Sequence, residues 1–98
     1  MNIEQFSDSL KLQQPPAGLA PHLLALWWDG KEDWEKAHEI IQDIQDPTAA
    51  WIHAYLHRKE GDVFNANYWY NRAHKRMPGY GLKQEWKEIA GELLDAAS

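Results

Sequence analysis

The chain has 98 residues, 44% hydrophobic and 26% charged, with six tryptophans, no cysteine and a formal net charge of −5. That length supports one domain with its own core but not two, and the missing cysteine excludes disulfide frameworks, thiolate metal sites and cysteine nucleophiles. The negative charge argues against a nucleic-acid partner, whose phosphates need a basic surface.

The opening segment, MNIEQFSDSL, lacks the basic start and apolar stretch of a signal peptide. No run approaches the roughly 18 apolar residues of a membrane span. The expectation is a soluble, cytoplasmic protein with no membrane partner. Ile3, Phe6 and Leu10 recur at helical spacing, as a short helix or as a mobile arm laid on the body. Gln13 to Gly18, with Pro15 and Pro16, reads as a linker, which sets residues 1–18 apart as an arm and leaves 19–98 as the domain. A helix opens near Pro21, where the missing proline N–H costs nothing. It runs through Leu23, Leu24, Leu26, Trp27 and Trp28, and Asp29-Gly30 ends it. Asp33 caps a second helix whose stripe is Trp34, Ala37, Ile41 and Ile44, with His38 beside it. Asp46-Pro47 opens a third helix, over about 47–60, apolar or aromatic nearly all round until Arg58-Lys59-Glu60, the pattern of a central helix. Gly61 ends it and Asp62 caps a fourth, with Ala66, Tyr70, Ala73 and Met77 in line until Pro78-Gly79. A last helix, from about Gly81, carries Leu82, Trp86, Ile89 and Leu93 and is expected to cap the open end. Strand alternation is absent, so the fold class is all-α.

Shifted by 29 residues, the chain repeats its punctuation: Leu24, Ala25 and Trp28 fall on His53, Ala54 and His57, Asp33 on Asp62, and Ala37 and Ile41 on Ala66 and Tyr70. A helix pair used twice predicts stacked hairpins with an exposed groove. The pattern resembles the tetratricopeptide (TPR) repeat. Leu24-Ala25-x2-Trp28, Ala37-x3-Ile41 and Pro47 match one copy; Ala54, Gly61, Ala66-x3-Tyr70, Ala73 and Pro78 match a second. The resemblance covers about residues 21–78. The NANYWYNRA stretch also looks Sel1-like, and the chain is similar to small bacterial proteins of this kind. It departs from the family in its 29-residue period, in having two copies, and in His53 and His57 at positions usually leucine and tyrosine. The resemblance implies two stacked antiparallel hairpins, a C-terminal capping helix, an N-terminal arm and a protein-binding role.

On that register the groove side presents His22, Leu26 and Asp29, then Trp51, Tyr55 and Arg58. Arg58 and Lys59 beside two aromatic rings suit a carboxylate-bearing peptide; the competing expectation keeps Arg58-Lys59-Glu60 in water at the helix's negative end. Trp27-Trp28 and Tyr68-Trp69-Tyr70 exceed what one side of a thin stack buries, because three consecutive residues span about 200° of a helix. The excess predicts an aromatic interaction surface, occupied by a second copy of the chain, with cover by the chain's own ends or a foreign ligand as the other outcomes. His53 and His57 lie one turn apart and His38 on the preceding helix, the donor set of a zinc site. Ala54 stands where H-E-x-x-H places its general base, so His53 and His57 are expected as half-buried, hydrogen-bonded packing aromatics, with a metal site that includes His38 as the alternative. The functional expectation is a non-enzymatic protein-interaction module, homodimeric, with Trp27, Trp51, Tyr55, Arg58, Tyr68 and Trp69 as its binding residues, a protein or peptide partner, no catalytic residue and no cofactor. The alternative function is a small metal-binding protein built on His38, His53 and His57.

Overall fold

Side-chain caps set most of the helix starts. Asn2 and Gln5 form a reciprocal capping box on α1 (Ile3–Asp8), which tightens into a 3₁₀ turn at Ser9–Lys11. α2 (Pro21–Gly30) begins on its proline. Asp33, Asp46 and Asp62 accept the backbone N–H groups of Lys36, Ala49 and Asn65 at 3.1, 2.7 and 3.1 Å. They thereby open α3 (Trp34–Ile41), α4 (Pro47–Glu60) and α5 (Val63–Arg72), satisfying donors a helix leaves orphaned. α6 (Leu82–Ala97) closes the chain. The computed structural model describes residues 1–97, and among them there is no strand: the protein is all-α.

The 29-residue repeat is present in the backbone. Glu32 and Gly61 both take left-handed conformations, with φ of 64° and 90°. The N–H groups of Asp33 and Asp62 then reach back to the carbonyls of Trp28 and His57, each at 2.9 Å, the closure of a Schellman motif. Gly61 adopts this conformation without strain, whereas Glu32 does so at a cost of roughly 1 kcal/mol. A third such turn shortens α5 relative to the sequence pattern. His74 has φ of 60° and Lys75 N–H bonds Tyr70 C=O at 2.9 Å, so the helix stops at Arg72 and Met77 lies outside it. α3 likewise ends at Ile41, before Ile44.

α2 packs with α3 and α4 with α5; α4 also contacts α2 and α3. The connections Lys31–Asp33 and Gly61–Asp62 are too short for anything but antiparallel neighbours. From Ala49 to Leu56 every residue of α4 is buried, as its all-round apolar pattern requires. α6 lies against α1, α2 and α4. Its Trp86 donates to Leu26 C=O at 2.9 Å and stacks on Phe6 at 5.4 Å. The start of the chain is therefore a helix seated in the core. Phe6 is fully buried, Ser9 Oγ accepts the Trp27 indole N–H at 3.0 Å, and Lys31 Nζ holds the carbonyls of Leu10 and Leu12, each at 2.8 Å. Gly30 permits this close approach: a Cβ there would lie 2.8 Å from a Leu10 methyl.

Because Phe6 touches no solvent, Phe6→Ala is expected to lower stability by about 3–5 kcal/mol. Urea unfolding measures this, and an unchanged midpoint would mean that α1 contributes nothing to the folded core.

Candidate functional site

Three surfaces concentrate the chemistry. The first is the side of α4 that faces α2 and α6, where Trp51, Tyr55 and Arg58 stand. All three are engaged by the chain's own carboxylates. Glu85 of α6 is fully buried and accepts from Trp51 Nε1 at 3.1 Å, Tyr70 OH at 2.6 Å and Arg58 at 2.8 Å. Arg58 also donates to the Tyr80 carbonyl. Asp29, 1% exposed, accepts from Tyr55 OH at 2.7 Å and Lys59 Nζ at 2.9 Å; Lys59 meets Glu32 as well, at 3.1 Å. Burial and then the facing carboxylates raise both tyrosine hydroxyls far above their ordinary range, so they stay donors. Burial alone would depress Lys59, but its bonds to Asp29 and Glu32 outweigh it and the net shift is upward. Arg58 and Lys59 are thus neither open to a peptide nor free in water.

Removing one member of such a pair strands the other charge. Glu85→Ala is expected to cost about 3–5 kcal/mol in chemical denaturation, and Arg58→Met combined with Glu85→Met to recover only part of it, because Trp51 Nε1 and Tyr70 OH lose their acceptor.

The second surface is aromatic. Trp27 is fully buried, edge-on to Trp28 at 5.0 Å, and so lies in the core rather than at an interface. Trp28 is half-buried beneath Lys36 at 4.1 Å. In the Tyr68-Trp69-Tyr70 run the residues separate as a helix demands. Tyr70 points into the core, Trp69 is half-buried and Tyr68 is 52% exposed. With Tyr68 come two residues the aromatic count did not flag, Val63 at 53% and Phe64 at 85% exposure. The available signal was charge: VFNANYWYN, residues 63–71, contains no ionisable acid or base of the Asp, Glu, Lys, Arg or His type, unusual for a helix with an open face.

The third surface is the histidine cluster. Helix α4 sets His53 and His57 one turn apart, their rings 4.8 Å apart and nearly parallel, and α3 brings His38 across to them. His38 Nε2 and His53 Nε2 are 3.0 Å apart, one donating and the other accepting. Trp34 stacks on His38 with centroids 4.9 Å apart, and Trp69 on His53 at 4.0 Å. His57 Nδ1 meets Glu60 Oε2 at 2.6 Å. Burial, reinforced by His38 and His57, pushes His53 down from 6.5 to about 4. Burial and then His57 lower His38, against a smaller upward pull from Glu60 and Glu39. Both rings are neutral at pH 7.

A base depressed on folding binds its proton more readily when unfolded. The His53 contribution is therefore complete above pH 6.5 and is lost as pH falls toward 4. In chelator, lowering pH from 7 to 5 is expected to remove roughly 1–2 kcal/mol, discounted for the cluster's partial hydration. Urea unfolding of wild type and His53→Gln at the two pH values checks this, the variant losing that part of the slope.

No protein-family model, curated protein or solved structure matches the chain. Among the described residues no helix is long and apolar enough to cross a membrane.

Proposed function

We propose that the protein is a non-enzymatic interaction module of tetratricopeptide-like helix pairs, which acts in the cytoplasm and pairs with a second copy of itself through the outward face of α5. The observation that carries this reading is Phe64, a phenylalanine 85% exposed one helical turn before the exposed Tyr68. Interface centres are enriched in aromatic residues and depleted in charge, and the α5 segment has that composition. Burying a phenylalanine ring is worth about 1.5–3 kcal/mol, and a two-fold pairing gains each contribution twice.

Self-pairing is favoured over a foreign partner by charge. A chain of net charge −5 repels its copy through most surfaces, but α5 carries a single charge of its own, on Arg72, which lies 5.8 Å from the Tyr68 ring and 5.4 Å from that of Trp69. The peptide-groove version of the module is less well supported, since α6 lies against α2 and α4 and its Glu85 holds Trp51 and Arg58.

Multi-angle light scattering across a concentration series should show a dimer for wild type and a monomer for Phe64→Asp with Tyr68→Asp, the variant keeping its helical circular dichroism because both sites are exposed. A wild-type chain monomeric at every concentration would refute the proposal.

A further inference from the structure

We propose that His38, His53 and His57 form a three-imidazole binding site for a borderline transition-metal ion such as Zn(II), with Glu60 as the carboxylate that orients His57. The site is independent of α5 pairing, because its ligands lie on α3 and the side of α4 facing it.

Geometry comes first. Two nitrogens held by one ion at about 2.1 Å stand about 3–3.5 Å apart, and the Nε2 atoms of His38 and His53 are 3.0 Å apart. One ligand nitrogen from each of the three rings falls within 4.8 Å of the others. His57 is half-buried, and coordination requires its nitrogen to close on the other two. The ligands come from two elements of defined relation: His53 and His57 from successive turns of α4, and His38 from the middle of α3.

The donors are also the right chemical species. An imidazole binds metal through an unprotonated nitrogen, so when both rings coordinate, the proton shared between the Nε2 atoms of His38 and His53 must move to a ring Nδ1. A set of imidazole nitrogens suits Zn, Ni and Cu rather than Mg or Ca, which take oxygen ligands.

The surroundings fix the rings. His57 Nδ1 donates to Glu60 Oε2 at 2.6 Å, which leaves Nε2 as the lone-pair nitrogen, the carboxylate–histidine arrangement that holds metal ligands in one tautomer. Trp34 stacks on His38 at an interplanar angle of 9° and Trp69 on His53 at 19°, so these rings are oriented before an ion arrives. His38 and His57 are only part-buried, so an ion can reach them from solvent.

Mutual hydrogen bonding explains His38 and His53 alone. It does not explain a third ring converging on the pair with its own nitrogen fixed by a carboxylate.

The test uses the full chain after chelator treatment. Calorimetric titration with zinc chloride should give one ion per chain, and cobalt(II), used as a coloured substitute, should develop visible ligand-field absorption. His57→Asn, a substitution at a half-buried position whose fold circular dichroism can verify, should abolish both. Glu60→Gln should keep the stoichiometry and weaken zinc binding about 10–100-fold, the usual effect of losing an orienting carboxylate, while His57 remains in place. Absence of zinc binding by folded wild type overturns the proposal, as does binding by His57→Asn equal to wild type. Unchanged affinity in Glu60→Gln overturns the role given to Glu60.

Discussion

Glu85 carries a charge with no access to water, and the rest of the molecule is arranged to satisfy it. An isolated buried carboxylate costs many kcal/mol. Here its two oxygens accept from an arginine, a tyrosine hydroxyl and an indole N–H. Those donors come from α4 and α5, while Glu85 comes from α6, so the network forms only when the last helix lies in one place and register. Asp29 makes a smaller version of the same arrangement, joining the end of α2 to Tyr55 and Lys59 of α4. Asp29 and Arg58 are equivalent positions 29 residues apart, and both turn inward to a partner of opposite sign.

This constraint decides which surfaces remain. With α6 lying against α2 and α4, and Phe6 of α1 stacked against Trp86, that side of α2 and α4 is covered by the chain itself. α4 then works in two directions. Trp51, Tyr55 and Arg58 face the buried carboxylates, whereas His53 and His57 sit about 200° round the same helix and face α3 and Trp69. The outer side of α5 is left with a nearly bare phenylalanine. The buried charges thus follow from the position of α6, and the histidine cluster from the packing of α3 and α5 on α4.

The helix starts were legible because each rests on a local device. Aspartate at 33, 46 and 62 and proline at 21 and 47 act within one turn of themselves, and the structure uses every one as a cap or first-turn residue. The convergence of His38 on His53 and His57 was legible too, from helix spacing and one short connection. What could not be read was the effect of distant partners. Glu85 stands in the polar run Lys83-Gln84-Glu85 before Trp86 and looks like a solvated residue. Its burial depends on Arg58 and Tyr70, which are far away in sequence. The same applies to Arg58-Lys59, whose two cations at the end of an apolar helix signal a need for counter-ions but not which ones. Phe64 was missed because the apolar periodicity of α5 runs through Ala66 and Tyr70. α5 ends early because His74 accepts a left-handed conformation, a choice that a histidine does not advertise.

The buried ion network locks α6 against α2 and α4, so α6 unfolds only together with α4. Native-state hydrogen exchange tests this most directly. The slowest amides of α6 around Glu85 and Ile89 are expected to exchange with the same free energy and denaturant dependence as those of α4 around Ile52 and Leu56. Exchange of α6 through a separate, lower-energy opening while α4 stays protected would show instead that the ion network does not tie the two helices together.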